Sequence, residues 1–267
     1  MYHEGELDMQ RRAGVTELAS RVGRIISADI PAPIAAFLAA RSFVIVTTID
    51  ADGAPRASLL GGTPGFAHAL DPHTISLSPA FGHVELARDD FGLLAIDFPN
   101  KRRIRLNGRA VQEGDVIRVT AAEVYSNCPQ YIHTNPLAPA RDTWQEWVEG
   151  ADTFFIGSVH PTRGADTSHR GGPRGFARVE GETIVWPDYS GNNMFNTLGN
   201  LTVEPRSALL FVDFGTGATL ELLGRASVEG DTEREVRFVV YEVKPTAAGG
   251  SASTRAPSFS SEPPTPV

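Results

Sequence analysis

Thr167-Ser-His-Arg-Gly-Gly-Pro-Arg-Gly-Phe-Ala177 has a counterpart 110 residues earlier, Ala57-Ser-Leu-Leu-Gly-Gly-Thr-Pro-Gly-Phe-Ala67. The two share a Ser, a Gly pair and a Gly-Phe-Ala triplet at matching positions. The same offset lays Phe43–Ile49 on Thr153–Val159, and Ile34, Phe37 and Leu38 on Trp144, Trp147 and Val148. Farther on the offset is 116 residues. Leu93-Leu-Ala-Ile-Asp-Phe98 then meets Leu209-Leu-Phe-Val-Asp-Phe214, Asn107-Gly-Arg-Ala110 meets Leu223-Gly-Arg-Ala226, and Glu113-Gly-Asp115 meets Glu229-Gly-Asp231. Internal self-similarity of this kind means that one structural unit is present twice.

The unit is read from its first copy. Phe43–Ile49 is β-branched and aromatic, Asp50-Ala-Asp-Gly53 has hairpin-turn chemistry, and Ala54–Leu60 returns. Phe66–Leu70, Thr74–Leu77, Gly92–Phe98, Ile104–Gln112 and Val116–Val124 continue the series of short strands. No long helix separates them, which predicts an antiparallel barrel. Before the first copy, Val15, Leu18, Ala19, Val22, Ile25 and Ile26 predict an amphipathic helix over Thr16–Ser27. Pro31 and Pro33 open a second short helix over Ile34–Ala40, and Thr143 with Glu146 forms a capping box for a helix before the second copy. The expected organisation is an N-terminal helical segment over 1–40, a first barrel over 41–139, a second over 140–245, and a disordered Pro- and Ser-rich tail over 246–267.

Composition narrows the function. The chain has 267 residues, a net charge of −8 and one cysteine. An acidic chain without a basic stripe argues against nucleic acid. Lys101-Arg-Arg-Ile-Arg105 alternates with apolar residues and reads as an exposed strand face. One cysteine excludes an intrachain disulfide and any cysteine-rich metal site, and Cys128 reads as a buried structural thiol. The N-terminus lacks a signal-peptide layout, and no apolar run has the length of a membrane span. A cytoplasmic location without membrane contact is the expectation. His68, His73, His83, His133 and His160 lack metal-ligand spacing, so no metal is expected, and no nucleophile elbow stands out.

The copies diverge where chemistry would sit. Leu59 and Leu60 of the first become His169 and Arg170 in the second. The second copy also carries an Asn-rich segment, Trp186-Pro-Asp-Tyr-Ser-Gly-Asn-Asn-Met-Phe-Asn-Thr-Leu-Gly-Asn200. Ser168, His169, Arg170, Asn192, Asn193, Asn196, Thr197 and Asn200 offer donors to an anionic or acceptor-rich ligand, and Gly171 permits close backbone approach. Arg170 with Ser168 is the phosphate candidate; its bland reading is a surface Arg beside a turn. His169 can face a cofactor, ligate a haem iron, or face solvent from its strand. The asparagines can serve turns and a helix start instead. Trp186 and Tyr189 can stack on a ring or pack the barrel. Met194, Leu198 and Leu201 have the spacing of a helix packed on the core, and Gly108 and Gly224 read as strand bulges.

Taken with His3-Glu-Gly-Glu6, Asn127-Cys-Pro-Gln-Tyr-Ile132, Ala151-Asp-Thr-Phe-Phe-Ile156 and Pro187–Asn200, these motifs resemble the pyridoxamine 5'-phosphate oxidase-like FMN-binding split-barrel family. They are nearest to a tandem-barrel subgroup that also occurs fused to ferredoxin-reductase-like modules. The resemblance covers roughly Met1 to Pro245. It implies a mainly β fold with short helices, two tandem six-stranded split barrels forming an intrachain pseudo-dimer, and FMN in the groove between them. It also implies a flavin-dependent oxidoreductase. The cofactor contacts would come from Ser168, His169, Arg170, Gly171, Asp188, Tyr189, Asn192, Asn193, Asn196, Thr197 and Asn200. The catalytic acid and base are not named by it. Alternatives are a haem-binding split barrel, a non-catalytic flavin-binding or electron-relay subunit, and a scaffold. The partners implied are a small-molecule substrate or electron donor, such as NAD(P)H or a separate reductase, and a further copy of the chain in a homodimer.

Overall fold

A computed structural model describes residues 2–137, 142–231 and 233–247. The first sheet holds β1 (Phe43–Ile49), β2 (Pro55–Gly61), β3 (Ala67–Asp71), β4 (Thr74–Leu77), β5 (Asp90–Asp97), β6 (Arg102–Glu113) and β7 (Val116–Ser126). Its antiparallel order is β2-β1-β5-β6-β7-β4-β3. The second holds β8 (Thr153–His160), β9 (Gly164–Gly171), β10 (Arg178–Glu180), β11 (Thr183–Pro187), β12 (Arg206–Val212), β13 (Thr219–Glu229) and β14 (Glu235–Thr246). Its order, β10-β11-β14-β13-β12-β8-β9, is the first order read backwards. Register repeats as well: Phe43 lies opposite Gly61, and Thr153 opposite Gly171. Each sheet has seven strands rather than the six that the resemblance implies.

Both long hairpins break register at the expected glycine, between Asn107 and Gly108 and between Leu223 and Gly224. A Cβ on Gly108 would stand 2.0 Å from the Thr120 carbonyl oxygen, and one on Gly224 would stand 2.3 Å from that of Val239. Only glycine fits such bends.

Strand β1 is buried along all seven residues because both its faces are covered. Val44 and Val46 enter the first barrel core, while Phe43 and Ile45 enter a cluster between the barrels. Strand β8 does the same, with Phe154 and Ile156 inside and Phe155 between. This is why the two runs read as continuously apolar. Phe98 and Phe214, matched positions of the two copies, meet edge to face at 5.1 Å in that middle cluster. Each fully buried aliphatic or aromatic side chain contributes about 1.5–3 kcal/mol. The shared cluster therefore holds the barrels together as firmly as a domain core.

Five α-helices are described: α1 (Glu4–Arg12), α2 (Thr16–Val22), α3 (Ala32–Ala39), α4 (Trp144–Gly150) and α5 (Asn196–Val203). The helix expected over Thr16–Ser27 ends at Val22 and passes into one 3₁₀ turn. Its apolar pattern is misleading, since Leu18 and Ile25 are about half exposed and Ala19 alone is buried in α2. Helix α1 was not foreseen. His3 caps it, accepting from the Gly5 amide, while Glu6 reaches back to the His3 amide. That is a capping box without the usual Ser or Thr. Strand β14 reaches Thr246; the rest of the expected tail, 248–267, lies outside the described residues.

Candidate functional site

An open cleft lies between the barrels. Its second-barrel wall is the end of β9, with Ser168, His169, Arg170 and Gly171, and the segment from Pro187 to Leu198. Asp188, Tyr189, Asn192, Asn193, Asn196 and Thr197 all line it. So ten of the eleven sequence candidates come together. Asn200 does not: it sits one turn farther along α5, donates to Ser158 Oγ at 3.0 Å, and faces a separate small cavity.

The opposite wall comes from the first barrel: Arg103 and Arg105 on β6, then Asn127, Cys128, Gln130 and Tyr131. This corrects two expectations. The Lys101–Arg105 strand does not present an exposed cationic face, because Arg105 is 3% exposed and Arg103 is half-buried. Alternation turns Arg103 and Arg105 toward the second barrel. Cys128 is only half-buried and lines the cleft rather than filling a core. Trp186 is packed inside the second barrel, at 5.2 Å from Phe154, whereas Tyr189 stacks on Tyr131 at 4.8 Å beside the cleft.

The electrostatics are unusual. Arg105 pairs with buried Asp166, which also accepts from Asn107 and Thr197. Arg234 pairs with Asp188 at 2.9 Å. Arg103 and Arg170 form no ion pair among the described residues. Burial, with Arg105 and Arg170 nearby, pulls the Arg103 pKa down to about 10. Burial also lowers that of Arg170. Cations held close together and away from water favour an anion among them.

His169 completes the set. Arg103 Nη1 donates to His169 Nδ1 at 2.8 Å. A guanidinium cannot accept, so Nδ1 carries the lone pair and Nε2 carries the proton. Burial, followed by Arg103 and Arg170, pushes the His169 pKa well below the usual range. The ring is thus a neutral donor, and Nε2 is buried without a partner. Arg103 Nε and Arg105 Nε are unpartnered as well, as is the acceptor Asn127 Oδ1. A buried donor left unpaired costs about 1–3 kcal/mol. Several such donors at one cleft fit a phosphate-bearing cofactor.

The Asn-rich segment is sharply bent. Asn193 and Phe195 both have left-handed backbone, with φ of 60° and 63°. Asn192 Oδ1 accepts from the Met194 amide, and Arg234 lies 4.9 Å above the Phe195 ring. Strained non-glycine residues of this kind persist where surrounding structure holds them, as at ligand clamps.

The smaller cavity is lined by His3, Glu6, Glu123, Asp166 and Asn200, among others. His3, Glu4 and His160 lie close enough to suggest a metal site. Their hydrogen bonds argue otherwise. The Thr162 amide donates to His160 Nδ1, and the Gly5 amide donates to His3 Nδ1. Both rings then carry the proton on Nε2, where His160 donates to Glu4 at 3.1 Å. Neither ring has a free lone pair for a cation.

Among the described residues, no helix is long and apolar enough to cross a membrane. No curated protein matches the sequence. Solved structures similar to part of the chain include general stress protein 26 from Bacillus anthracis, at 10% identity and a TM-score of 0.30, covering 37% of this chain and 86% of that one. A putative pyridoxamine 5'-phosphate oxidase from Lactobacillus delbrueckii is 16% identical at a TM-score of 0.27, covering 37% and 95%. HutZ, the heme storage protein from Vibrio cholerae, is 11% identical at 0.29, covering 37% and 87%. The family model described as pyridoxamine 5'-phosphate oxidase matches residues 140–260. The second barrel thus matches the pyridoxamine 5'-phosphate oxidase family, and the first barrel repeats its strand order.

Proposed function

We propose that the cleft between the barrels binds FMN and that the protein is a flavin-dependent oxidoreductase. One observation carries the reading: the unpartnered donors of Arg103, Arg105 and His169 stand at one cleft with unpaired Arg170. Arg103 and Arg170 would hold the phosphate through charge-assisted hydrogen bonds; Arg105, paired with Asp166, would add its free Nε, and His169 Nε2 a neutral donor. Ser168 and the amides of Asn192, Asn193 and Asn196 would meet the remaining acceptors, with Thr197 and Asp188 completing the wall. Bound flavin supplies hydride or electron transfer; the protein orients it and sets its surroundings. A cytoplasmic location, a small-molecule substrate, and NAD(P)H or a separate reductase as electron source belong to the same proposal.

Haem ligated by His169 fits less well. Nδ1 is taken by Arg103 and Nε2 is protonated, so the ring would have to lose its partner or turn before meeting iron.

The test is a titration of the purified protein with FMN and, separately, with haemin, followed by desalting and a visible spectrum. A retained two-banded flavin spectrum that bleaches anaerobically with NADPH or NADH supports the proposal. Retained flavin that no donor reduces would leave a flavin carrier and refute the enzyme. Retained haemin with no retained flavin would refute both.

A further inference from the structure

The repeat exposes a reversal of charge between the barrels. At the 116-residue offset, Arg105 of the first barrel corresponds to Glu221 of the second. At the 110-residue offset, Asp166 of the second corresponds to Arg56 of the first. The structure pairs these four residues across the interface. Arg105 on β6 meets Asp166 on β9, and Glu221 on β13 meets Arg56 on β2. Strands β6 and β13 occupy matching places in the two sheets, as do β2 and β9. The two bridges are thus one contact formed twice, with its polarity inverted.

Both are built into the interface. Asp166 and Arg105 are each 3% exposed. Asp166 is held further by Asn107 Nδ2 at 3.2 Å and Thr197 Oγ1 at 3.3 Å. Glu221 is 7% exposed; it takes the Arg56 Nε at 3.1 Å and the Ala57 amide at 2.8 Å. An isologous contact presents the same surface patch on both sides. If two first barrels paired in this way, each Arg105 would face the other's Arg56. If two second barrels paired, each Glu221 would face Asp166. Both arrangements bury like charges, which is strongly unfavourable. Only a first barrel against a second gives two complementary pairs.

We infer that these two inverted bridges form a pairing code, which restricts the interface to a first barrel against a second and excludes first–first and second–second association between copies of this chain. Much of the apolar packing does not supply that restriction, because the two halves share a fold and the inter-barrel cluster uses matched apolar positions such as Phe98 with Phe214 and Ile45 with Phe155, Leu59 with His169 being an exception. Selectivity among similar partners comes from the repulsive alternative as much as from the attractive one.

The code can be rewritten in the full-length protein. Arg56→Glu sets two carboxylates against each other within the chain, at 56 and 221. It also lets two first barrels pair, each Arg105 meeting a new Glu. Glu221→Arg does the converse for second barrels. Neither residue lines the large cleft. Each variant, refolded alone, is expected to show a concentration-dependent species of twice the wild-type mass by light scattering. The double variant, whose pairs are complementary within one chain, should return to the wild-type mass. The two single variants refolded together should give a mixed assembly of twice the wild-type mass, with each first barrel seated on the other chain's second, even if either alone aggregates. Single variants and a mixture that all keep the wild-type mass, with only a lower melting temperature, would overturn the code and leave two ordinary salt bridges.

Discussion

The His169 ring shows how much one hydrogen bond decides. Because Arg103 can only donate, it fixes which nitrogen holds the proton, and burial among cations keeps the ring neutral. Nitrogen-15 spectra should show the Nε2–H tautomer of His169 at pH 6, where an ordinary histidine is largely protonated; an imidazolium signal there would refute the assignment. Arg103 and Arg170 carry a second expectation. A hydrogen bond to a charged group contributes about 1.5–3 kcal/mol, so Arg103→Gln and Arg170→Gln should each weaken FMN binding by roughly 10- to 100-fold. Fluorescence titration measures this, and unchanged affinity in both variants would remove the phosphate from this cleft. The contrast between His169-Arg170 and Leu59-Leu60 made half of the site legible in the sequence. Arg103 and Arg105 were not legible. Their alternation with apolar residues matches any half-exposed strand, and only the second barrel makes their face an interior one.

At the scale of the element, helix α1 is the part that sequence periodicity missed. It is short, its cap is a histidine, and it holds α5 rather than a barrel core. A Cβ on Gly199 would stand 2.6 Å from the Glu6 amide nitrogen, and one on Gly5 would stand 2.1 Å from the Gly199 carbonyl oxygen. Helix α5 begins at Asn196, whose Nδ2 donates to Glu6 Oε1 at 2.6 Å. Gly199→Ala should therefore cost about 1–3 kcal/mol of stability by overpacking and weaken FMN binding together. Thermal melts and the titration test this jointly; a stable variant with full affinity would uncouple α1 from the site. The strands by contrast were readable to within a few residues, because turn chemistry and the repeat mark them twice.

The cap of α1 also gives a pH signature with a definite sign. Burial, then Glu123 and Asp166, raise the Glu6 pKa to about 7. Burial, then His160, lower that of His3 to about 4. A raised carboxyl contributes stability that is present at low pH and lost as pH rises to about 7. A lowered histidine contributes stability that is present above its unfolded pKa of about 6.5 and lost as pH falls toward 4. Between pH 4.5 and 6.5 the folded pair and the unfolded pair hold the same number of protons, so the slopes cancel. Glu6→Gln should expose the His3 slope, with stability falling on acidification. His3→Asn should expose the Glu6 slope, with stability falling as pH rises. Denaturant midpoints across this window decide it; parallel profiles for both variants and the wild type would contradict the pairing.

At the scale of the whole molecule, the duplication does not repeat the charged residues of the proposed FMN site. The matched positions of Arg103, Arg105, His169 and Arg170 are Thr219, Glu221, Leu59 and Leu60. Glu221 is neutralised by Arg56, so the matched place has no surplus of positive charge. Phe81 also presses on Gly61, where a Cβ would meet its ring at 2.1 Å. Leu59 joins the apolar cluster between the barrels. A phosphate there would lose its water and gain no cation, which is unfavourable. Titration should therefore saturate at one FMN per chain, whereas a dimer of identical barrels would present two equivalent sites. Equilibrium dialysis measures the ratio. Two FMN per chain would mean that Arg103, Arg170 and their neighbours are not the determinants of binding; one per chain, abolished by Arg103→Glu with Arg170→Glu and unaffected by Leu60→Met, would place the cofactor in the cleft between β6 and β9.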